Sequence, residues 1–368
     1  MSTATLPPEA RKTRPLSPST AHLTPEDIEA IGVELDALRE ELLDSRGEKD
    51  ARYIRSVIKL QRGLELSGRA ILFAGWFPPA WVAGTAALSA AKILENMEIG
   101  HNVMHGQWDW MRDPKIHSTT WEWDNTSPAD QWKHSHNYIH HTYTNVVGKD
   151  RDIGYAVLRM TPEQRWSPWR LGQPVYAALL AMFFEYGVAL HDLEVENVRA
   201  GRKPRSETRA QLKAIGRKVR RQVLKDYVAF PLLALPTGAA LPVLAANFTA
   251  NIVRNVWSNL VIFCGHFPDG AEVFPEDQVE NETKGEWYVR QILGSANISG
   301  GPLMHLATGN LSHQIEHHVF PDLPSNRYAE VAPRVRDLCE KYDIPYSTDT
   351  LTGQITSTWK KIFRLSLP

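Results

Sequence analysis

The stretch Gln314-Ile315-Glu316-His317-His318-Val319-Phe320-Pro321 sets the reading of this chain. Two adjacent imidazoles sit there, with Gln314 within one helical turn of both. Two further clusters share its character, His101-Asn102-Val103-Met104-His105 and His136-Asn137-Tyr138-Ile139-His140-His141. Residues four apart lie on one face of a helix, so His101 pairs with His105 and His136 with His140, while His141 lies about 100° around. Imidazole is the commonest neutral metal ligand and suits iron, zinc and copper. A single such pair is ordinary surface chemistry. Three clusters separated by apolar segments point instead to an all-nitrogen site for more than one ion.

Two apolar regions set the organisation. The first, from about 64 to 99, is interrupted by Pro78-Pro79, through which a helix does not run straight. It reads as a hairpin that rises to Phe77 and descends from Ala80, in preference to a single span over 71–91. The second, 227–264, would be about 57 Å long as one helix, nearly twice the hydrocarbon thickness of a bilayer. A second hairpin turning near Ala245–Asn247 follows, with Asn251, Arg254 and Asn255 facing the interior or snorkelling. If both hairpins start and end on one side, all three clusters share that side. Parity then forbids a straight crossing by the apolar segment 174–190, which should lie along the interface or re-enter.

Composition limits the classes. The net charge of −1 over 368 residues gives no global attraction to nucleic acid. Arg199 to Lys225 is strongly basic, as expected of a cytoplasmic loop between membrane segments. Mean hydropathy is −0.34, so the membrane portion is joined to a large water-facing part. Cys264 lies in an apolar run and Cys339 in a charged one, which is no disulfide framework and fits a reducing compartment. Residues 1–24, rich in Pro, Ser and Thr, read as a disordered tail without a signal peptide's apolar core. Residues 25–62 read as an amphipathic or interfacial helix, with Thr24 as N-cap and Pro25 at the first helical position. The site-bearing domain is 63–324, with cap segments 100–226 and 265–324. Residues 325–368 read as a cytoplasmic C-terminal extension.

The candidate ligands are His101, His105, His136, His140, His141, His317 and His318. His266 joins them because it closes the last apolar segment at the same face. His134, His313 and Gln314 adjoin the clusters. Glu98, Asp130, Asp150 and Asp152 could accept from the second ring nitrogen of a ligating histidine, or be solvated carboxylates. His117, His191 and His305 read as structural or surface residues, and His22 as part of the tail. Zinc suits the donor set less well than iron, because structural zinc sites are four-coordinate and often use Cys. The pair of Glu-x-x-His motifs of a soluble carboxylate-bridged di-iron bundle is missing, since Glu98-Ile99-Gly100-His101 stands alone, and there is no His-Glu-x-x-His of a zinc protease.

These residues resemble the histidine boxes of the integral-membrane fatty acid desaturase family, in the subgroup whose third box begins with Gln. Gln314 to Pro321 followed by Leu323-Pro324, and Thr142-Tyr143-Thr144-Asn145 with Asp150-Arg151-Asp152 after the second box, carry the likeness over about 64–324. The resemblance implies an all-α integral membrane protein with two transmembrane hairpins, about four spans, and a cytoplasmic helical cap. It implies two iron ions held by His101, His105, His136, His140, His141, His317 and His318, with His266 as a further ligand, and molecular oxygen as co-substrate. Gln314 stands where other subgroups have His, and its role is left open. The second box has three residues before its His pair where many members have two. No His-Pro-Gly-Gly of a fused cytochrome b5 is present, so electrons are expected from a separate ferredoxin or flavin-dependent reductase. The expected location is a bacterial inner membrane, with the site facing the cytoplasm.

The implied activity is oxygen-dependent insertion of a double bond into a lipid acyl chain. An unactivated methylene is too weak an acid for proton abstraction, so the chemistry must be oxidative. The site must then place one carbon–carbon bond near iron and exclude water. Trp108, Trp110, Trp121, Trp123 and Trp132 are candidates for interface anchors or for lining an acyl path. The basic run could meet a phosphate-bearing headgroup, coenzyme A or a carrier protein, or report topology alone. The competing readings are a related membrane hydroxylase and a non-catalytic membrane metal-binding or transport protein.

Overall fold

The computed structural model describes residues 16–368, and they are mostly helical. The expected disordered tail lies outside the described residues at positions 1–15. From Leu16 onward the chain is instead folded. Ser17 caps the short turn Pro18–Thr20, and the hydroxyls of Ser17 and Ser19 donate to the Glu272 carboxylate. Hydroxyls that read as solvating in the sequence here satisfy a charged partner.

Helix α1 (Pro25–Asp44) begins as the spacing predicts, with a reciprocal Thr24–Asp27 capping box and Pro25 in its first turn. The single amphipathic helix expected over 25–62 is in fact broken at Ser45–Gly47. Helix α2 (Glu48–Leu72) starts there, with the Asp50 carboxylate accepting from the Gly47 N–H at 3.1 Å. It then runs unbroken through position 62 into the first apolar arm, so no break marks the expected boundary. After the turn at 73–77, Pro78 opens α3 (Pro78–Leu94), which closes the expected hairpin. A Cβ on Gly68 would sit 3.0 Å from the Gly84 carbonyl oxygen. Only glycine permits this approach of α2 to α3. Glu95–His101 continues α3 as a π-helical turn.

The apolar segment near 174–190 forms α4 (Gln173–Met182) and α5 (Phe184–His191). The segments Pro168–Met182 and Phe184–Arg199, which contain them, are bent by 97° about Phe183. Helix α6 (Arg205–Val223) carries the basic run and continues without a break through the π-helical Leu224–Ala229 to Leu233. The second hairpin turns at Leu235–Thr237 and Gly238, whose φ is 73°, and not at Ala245–Asn247. Pro236 and Gly238 supply the fixed and the left-handed backbone positions that the turn needs. Asn247 is a buried residue inside α7 (Ala240–His266), donating from Nδ2 to the Asp226 carbonyl at 2.7 Å.

Asn247, Asn251, Arg254 and Asn255 are all buried, as expected for inward-facing polar residues of an apolar helix. They also dilute its hydropathy. Helix α7 has 27 residues, about 40 Å, yet no single helix among the described residues is both long and apolar enough to cross a membrane by length and composition. The bent α4–α5 pair passes that test when its halves are taken together.

Further elements, besides short helical turns, are α8 (Lys284–Leu293), β1 (Asn297–Ser299), α9 (Gln314–Val319), α10 (Tyr328–Lys341), β2 (Thr348–Thr350) and α11 (Leu351–Ser366). The two strands pair in parallel, Asn297 opposite Thr348. Residues 325–368 are no appended extension. Tyr328, Val331 and Val335 of α10 share one core with Ile31 and Leu35 of α1, Tyr288 of α8 and Ile315 of α9, and Ile362 of α11 packs with Phe263 and Ala177. Both cysteines are free and buried.

Candidate metal centre

The three sequence clusters converge on one buried point. Nitrogen atoms of His101, His105, His136 and His317 lie within 4.8 Å of one another, and so do those of His140, His266 and His318; His141 forms a third such set with His317 and His318. His141 thus borders both groups, its ring 4.9 Å from that of His317 and 4.4 Å from that of His318. His101 and His136 sit on π-helical turns, Glu95–His101 and Lys133–His140. Such turns recur at functional sites. His266 is the last residue of α7, and His317 and His318 are on α9.

The donor set fits a metal. Buried polar atoms in folded proteins nearly always have a partner. Here Nε2 of His105, His140, His317 and His318, Nδ1 of His266 and both ring nitrogens of His141 are buried without one. Burial, followed by the neighbouring imidazoles, holds His105, His141, His317 and His318 well below the usual histidine range, and His101 down to about 3. These rings stay neutral at physiological pH, the form that binds metal. His140 differs: burial lowers its pKa, but Asp150 and Asp152 outweigh that and raise it.

The other ring nitrogens are held from outside. Asp150 faces His140 Nδ1 at 3.0 Å and also accepts the Asn145 N–H. Asp152 lies 3.7 Å from His136 Nδ1 and takes His191 Nε2 at 3.1 Å. Asn102 Oδ1 holds His101 Nδ1 at 2.9 Å, Gln291 Oε1 holds His318 Nδ1 at 3.0 Å, and the Tyr328 hydroxyl holds His317 Nδ1 at 3.1 Å. Asn102, Gln291 and Tyr328 escaped the sequence reading, and His191, read there as structural or surface, is a buried partner of Asp152. Asn102 adjoins a box and was within reach; the others come from distant elements.

Four sequence candidates lie elsewhere. Asp130 is exposed and pairs with Lys133. His134 is exposed, stacked on Tyr138 on the outer side of the π turn. Glu98 is buried but bonds Ser325 Oγ at 2.6 Å and Asn310 Nδ2 at 2.9 Å, bracing the third box against α3 rather than orienting a histidine. His313 packs on His305, ring centroids 4.5 Å apart, outside the cluster. Gln314 does reach the site. Its Nε2 lies 3.1 Å from His266 Nε2, and its Oε1 is buried without a partner. Gly265 makes room, since a Cβ there would meet Gln314 Cγ at 2.8 Å.

A narrow cavity of about 50 Å³ begins at His101 and His136. Met97, Trp132, Phe184 and Ile262 form apolar walls, and Arg254 and Glu185 stand at a polar part of its lining, paired at 2.5 Å. Of the tryptophans noted in the sequence, Trp123 and Trp132 line this cavity, while Trp108 is packed under α2.

The fatty acid desaturase family model matches residues 74–350. The NADPH-dependent stearoyl-CoA 9-desaturase of Mycobacterium tuberculosis is 53% identical over 350 residues, covering 95% of this chain and 82% of the relative. The sn-1 linoleoyl-lipid 6-desaturase of Synechocystis is 26% identical over 301 residues, covering 79% and 82% of the two chains. Human fatty acid desaturase 3 is 23% identical over 298 residues, covering 75% and 59%. No solved structure matches the chain significantly. The family match takes in all three histidine clusters and the cavity beside them: the chain belongs to the fatty acid desaturase family and is an acyl-desaturating oxidoreductase.

Proposed function

We propose that the histidine groups hold two iron ions and that the chain desaturates a long saturated acyl chain, carried as a coenzyme A thioester, at the 9 position. The observation that carries this is the convergence of buried, unpartnered imidazole nitrogens beside an apolar-walled cavity. His101, His105, His136 and His317 would hold one ion, and His140, His266 and His318 the other, with His141 between them. Gln314 steadies His266 from the amide side. Bound iron supplies the one-electron chemistry that lets oxygen remove hydrogen from an unactivated methylene. The chain's own residues do the rest. Asp150, Asp152, Asn102, Gln291 and Tyr328 fix ring orientation, burial keeps the imidazoles neutral, and the walls of Met97, Trp132, Phe184 and Ile262 exclude water from the acyl chain. The acyl carrier and the bond position follow from likeness to the mycobacterial relative, and NADPH electrons would arrive through a separate carrier protein.

The same reading puts α2–α3 and the stretch 224–266 in a bacterial inner membrane as two hairpins, with the histidine groups toward the cytoplasm. Its support is the distribution of side chains. Leu66, Trp76, Phe77, Val82, Leu241 and Phe248 face outward and are exposed, while Arg69, Lys92, Asn247, Asn251, Arg254 and Asn255 in the same hairpins are buried.

The test is expression in a bacterium with a compatible reductase, followed by fatty acid profiling. The expected result is a new 9-monounsaturated acid, lost in His317→Ala. A hydroxylated product, or no new unsaturation from iron-loaded protein with a working reductase, would sink the proposal.

A further inference from the structure

Desaturation by oxygen does not balance on the acyl chain alone. Reducing one oxygen molecule to two waters takes four electrons and four protons. The two C–H bonds that break supply two of each as the alkene forms, so two electrons and two protons must come from outside. We propose that the outward face of α6 is the docking surface for an acidic one-electron carrier protein that delivers those electrons, an inference that rests on the desaturase reading above.

The cations of α6 divide by face. Lys218, turned inward, donates to Glu122 and to the Trp123 carbonyl, both at 2.6 Å, and Lys225 at the helix end pairs with Asp124 at 2.6 Å. Arg205, Arg209, Lys213, Arg217 and Arg221 recur at every fourth position and, with Arg220, form one exposed stripe about 24 Å long. None of them makes a side-chain hydrogen bond or ion pair among the described residues. Ile215 and Gln222 are buried on the opposite side. On a chain whose net charge is −1, this is a concentrated and unneutralised positive field. Elsewhere on the cap exposed cations are often paired, as Arg334 with Glu41 and Lys341 with Glu34. A row of unpaired cations steers an anionic partner and sets its orientation more than its raw affinity.

The position of the outer half of the stripe favours a protein over lipid headgroups. Helix α6 continues unbroken into the arm of the second hairpin, where exposed apolar side chains become frequent from Val223 and Leu224 onward, Leu212 being the exposed large apolar residue further up α6. Arg205, Arg209 and Lys213 lie about 15–28 Å up the same rod, beyond the ~8–10 Å reach of screened surface charge, whereas Arg217, Arg220 and Arg221 lie at or within that reach. Behind the stripe, the buried side of α6 rests on the segment that leads to the metal centre. Lys218 holds the Trp123 backbone, Trp123 and Trp132 have ring centroids 5.3 Å apart, and Trp132 stacks on His136 at 4.4 Å. One hydrogen bond to the Trp123 backbone and two ring contacts thus join the back of the docking helix to a candidate ligand.

The experiment compares two reductants on iron-loaded full-length enzyme in phosphatidylcholine nanodiscs. One is a plant-type [2Fe–2S] ferredoxin reduced by NADPH through its reductase. The other is dithionite with a neutral small-molecule mediator. The variants are Arg209→Glu/Lys213→Glu/Arg217→Glu and the corresponding triple Gln change. The expected result is a rise of roughly tenfold in the KM for ferredoxin for the Glu triple and a smaller rise for the Gln triple, with a flattened salt dependence. Mediator-driven product should be unchanged. Unaltered KM and salt dependence in the Glu triple would overturn the proposal, as would equal losses with both reductants in both variants. An effect that appears only when phosphatidylglycerol is added to the nanodisc would overturn it in favour of anionic lipid binding. No mediator-driven product from the unmodified enzyme would instead remove the desaturase reading itself, and this proposal with it.

Discussion

Two clusters of buried polar side chains lie within this fold, and they are finished differently. In one, Asp226 is fully buried between Arg69 at 3.2 Å and Lys92 at 2.9 Å, and Lys92 and Lys225 share Asp124 at 3.2 and 2.6 Å. Asn247 and Asn251 add hydrogen bonds to Asp226. Every charge has an opposite partner, and the cluster ties α2, α3, the π turn at 224–229 and α7 together. In the other, eight imidazoles are packed against one another with most inward nitrogens unpaired. Burying unpartnered polar atoms costs about 1–3 kcal/mol each, so the fold carries a penalty there that a bound metal would remove. Satisfaction separates a polar cluster that holds a structure together from one that awaits a ligand.

The sharpest way to break this contrast is His141, whose two ring nitrogens are both unpartnered. His141→Leu should lower desaturation by at least about a hundredfold and reduce bound iron. It should leave the thermal midpoint of the metal-free protein unchanged or slightly raised, because the lost group made no hydrogen bond. A metal-free variant that melts well below the parent would show that His141 is structural after all. Asp226→Asn should do the converse. It leaves Arg69 and Lys92 under-compensated in a buried setting, at a cost of about 3 kcal/mol or more. Thermal unfolding in detergent should fall sharply, while the iron bound per folded molecule stays at the parent level. Loss of iron without loss of stability would dissolve the distinction.

An intermediate effect is expected one layer out. Asp150 accepts from His140 and from a backbone N–H, so Asp150→Asn keeps the shape but weakens the charge that favours metal binding at that ring. Iron affinity should drop about 10–100-fold, read by competition with a chelator, and the fold should survive. Unchanged affinity would mean that His140 does not bind metal.

What could be read from the sequence follows the range of the interactions involved. The histidine clusters, the hairpin at Pro78-Pro79 and the inward polar face of α7 are local patterns, and the structure has them. The turn at Leu235–Gly238 was also written locally, in Pro236-Thr237-Gly238, but the midpoint of a long apolar run proved a weaker guide than turn chemistry. The π-helical turns at Glu95–His101 and Lys133–His140 could not be told from α-helix, because four-residue spacing suits both. Gln291, Tyr328 and His191 reach the centre from α8, α10 and α5, and only the packed fold brings them there. The same holds for Glu98, whose position one turn before His101 suggested a ligand-orienting role but whose carboxylate turns to Ser325 and Asn310. Residues 325–368 read as an extension because α10 and α11 are amphipathic and bear no motif, yet their apolar faces complete two cores.

Lys361 on α11 supplies the half-satisfied case between the two clusters. Its ammonium donates to the Pro268 carbonyl at 2.9 Å, and among the described residues no carboxylate is paired with it. Partial burial, in part offset by Asp269, lowers its pKa to about 8. The unfolded chain, with an ordinary lysine near 10.4, therefore binds more protons than the folded one between those values. Stability should rise as the pH climbs from about 8 to about 10.4 and be flat with respect to this group below that window. Lys361→Met should remove the dependence and stabilise the protein at neutral pH by about 1 kcal/mol, the smallest effect of the set. Thermal midpoints of parent and variant across that range measure it. If the two curves run parallel, one backbone hydrogen bond is enough to satisfy a partly buried ammonium, and the boundary between finished and unfinished clusters must be drawn at a lower degree of pairing.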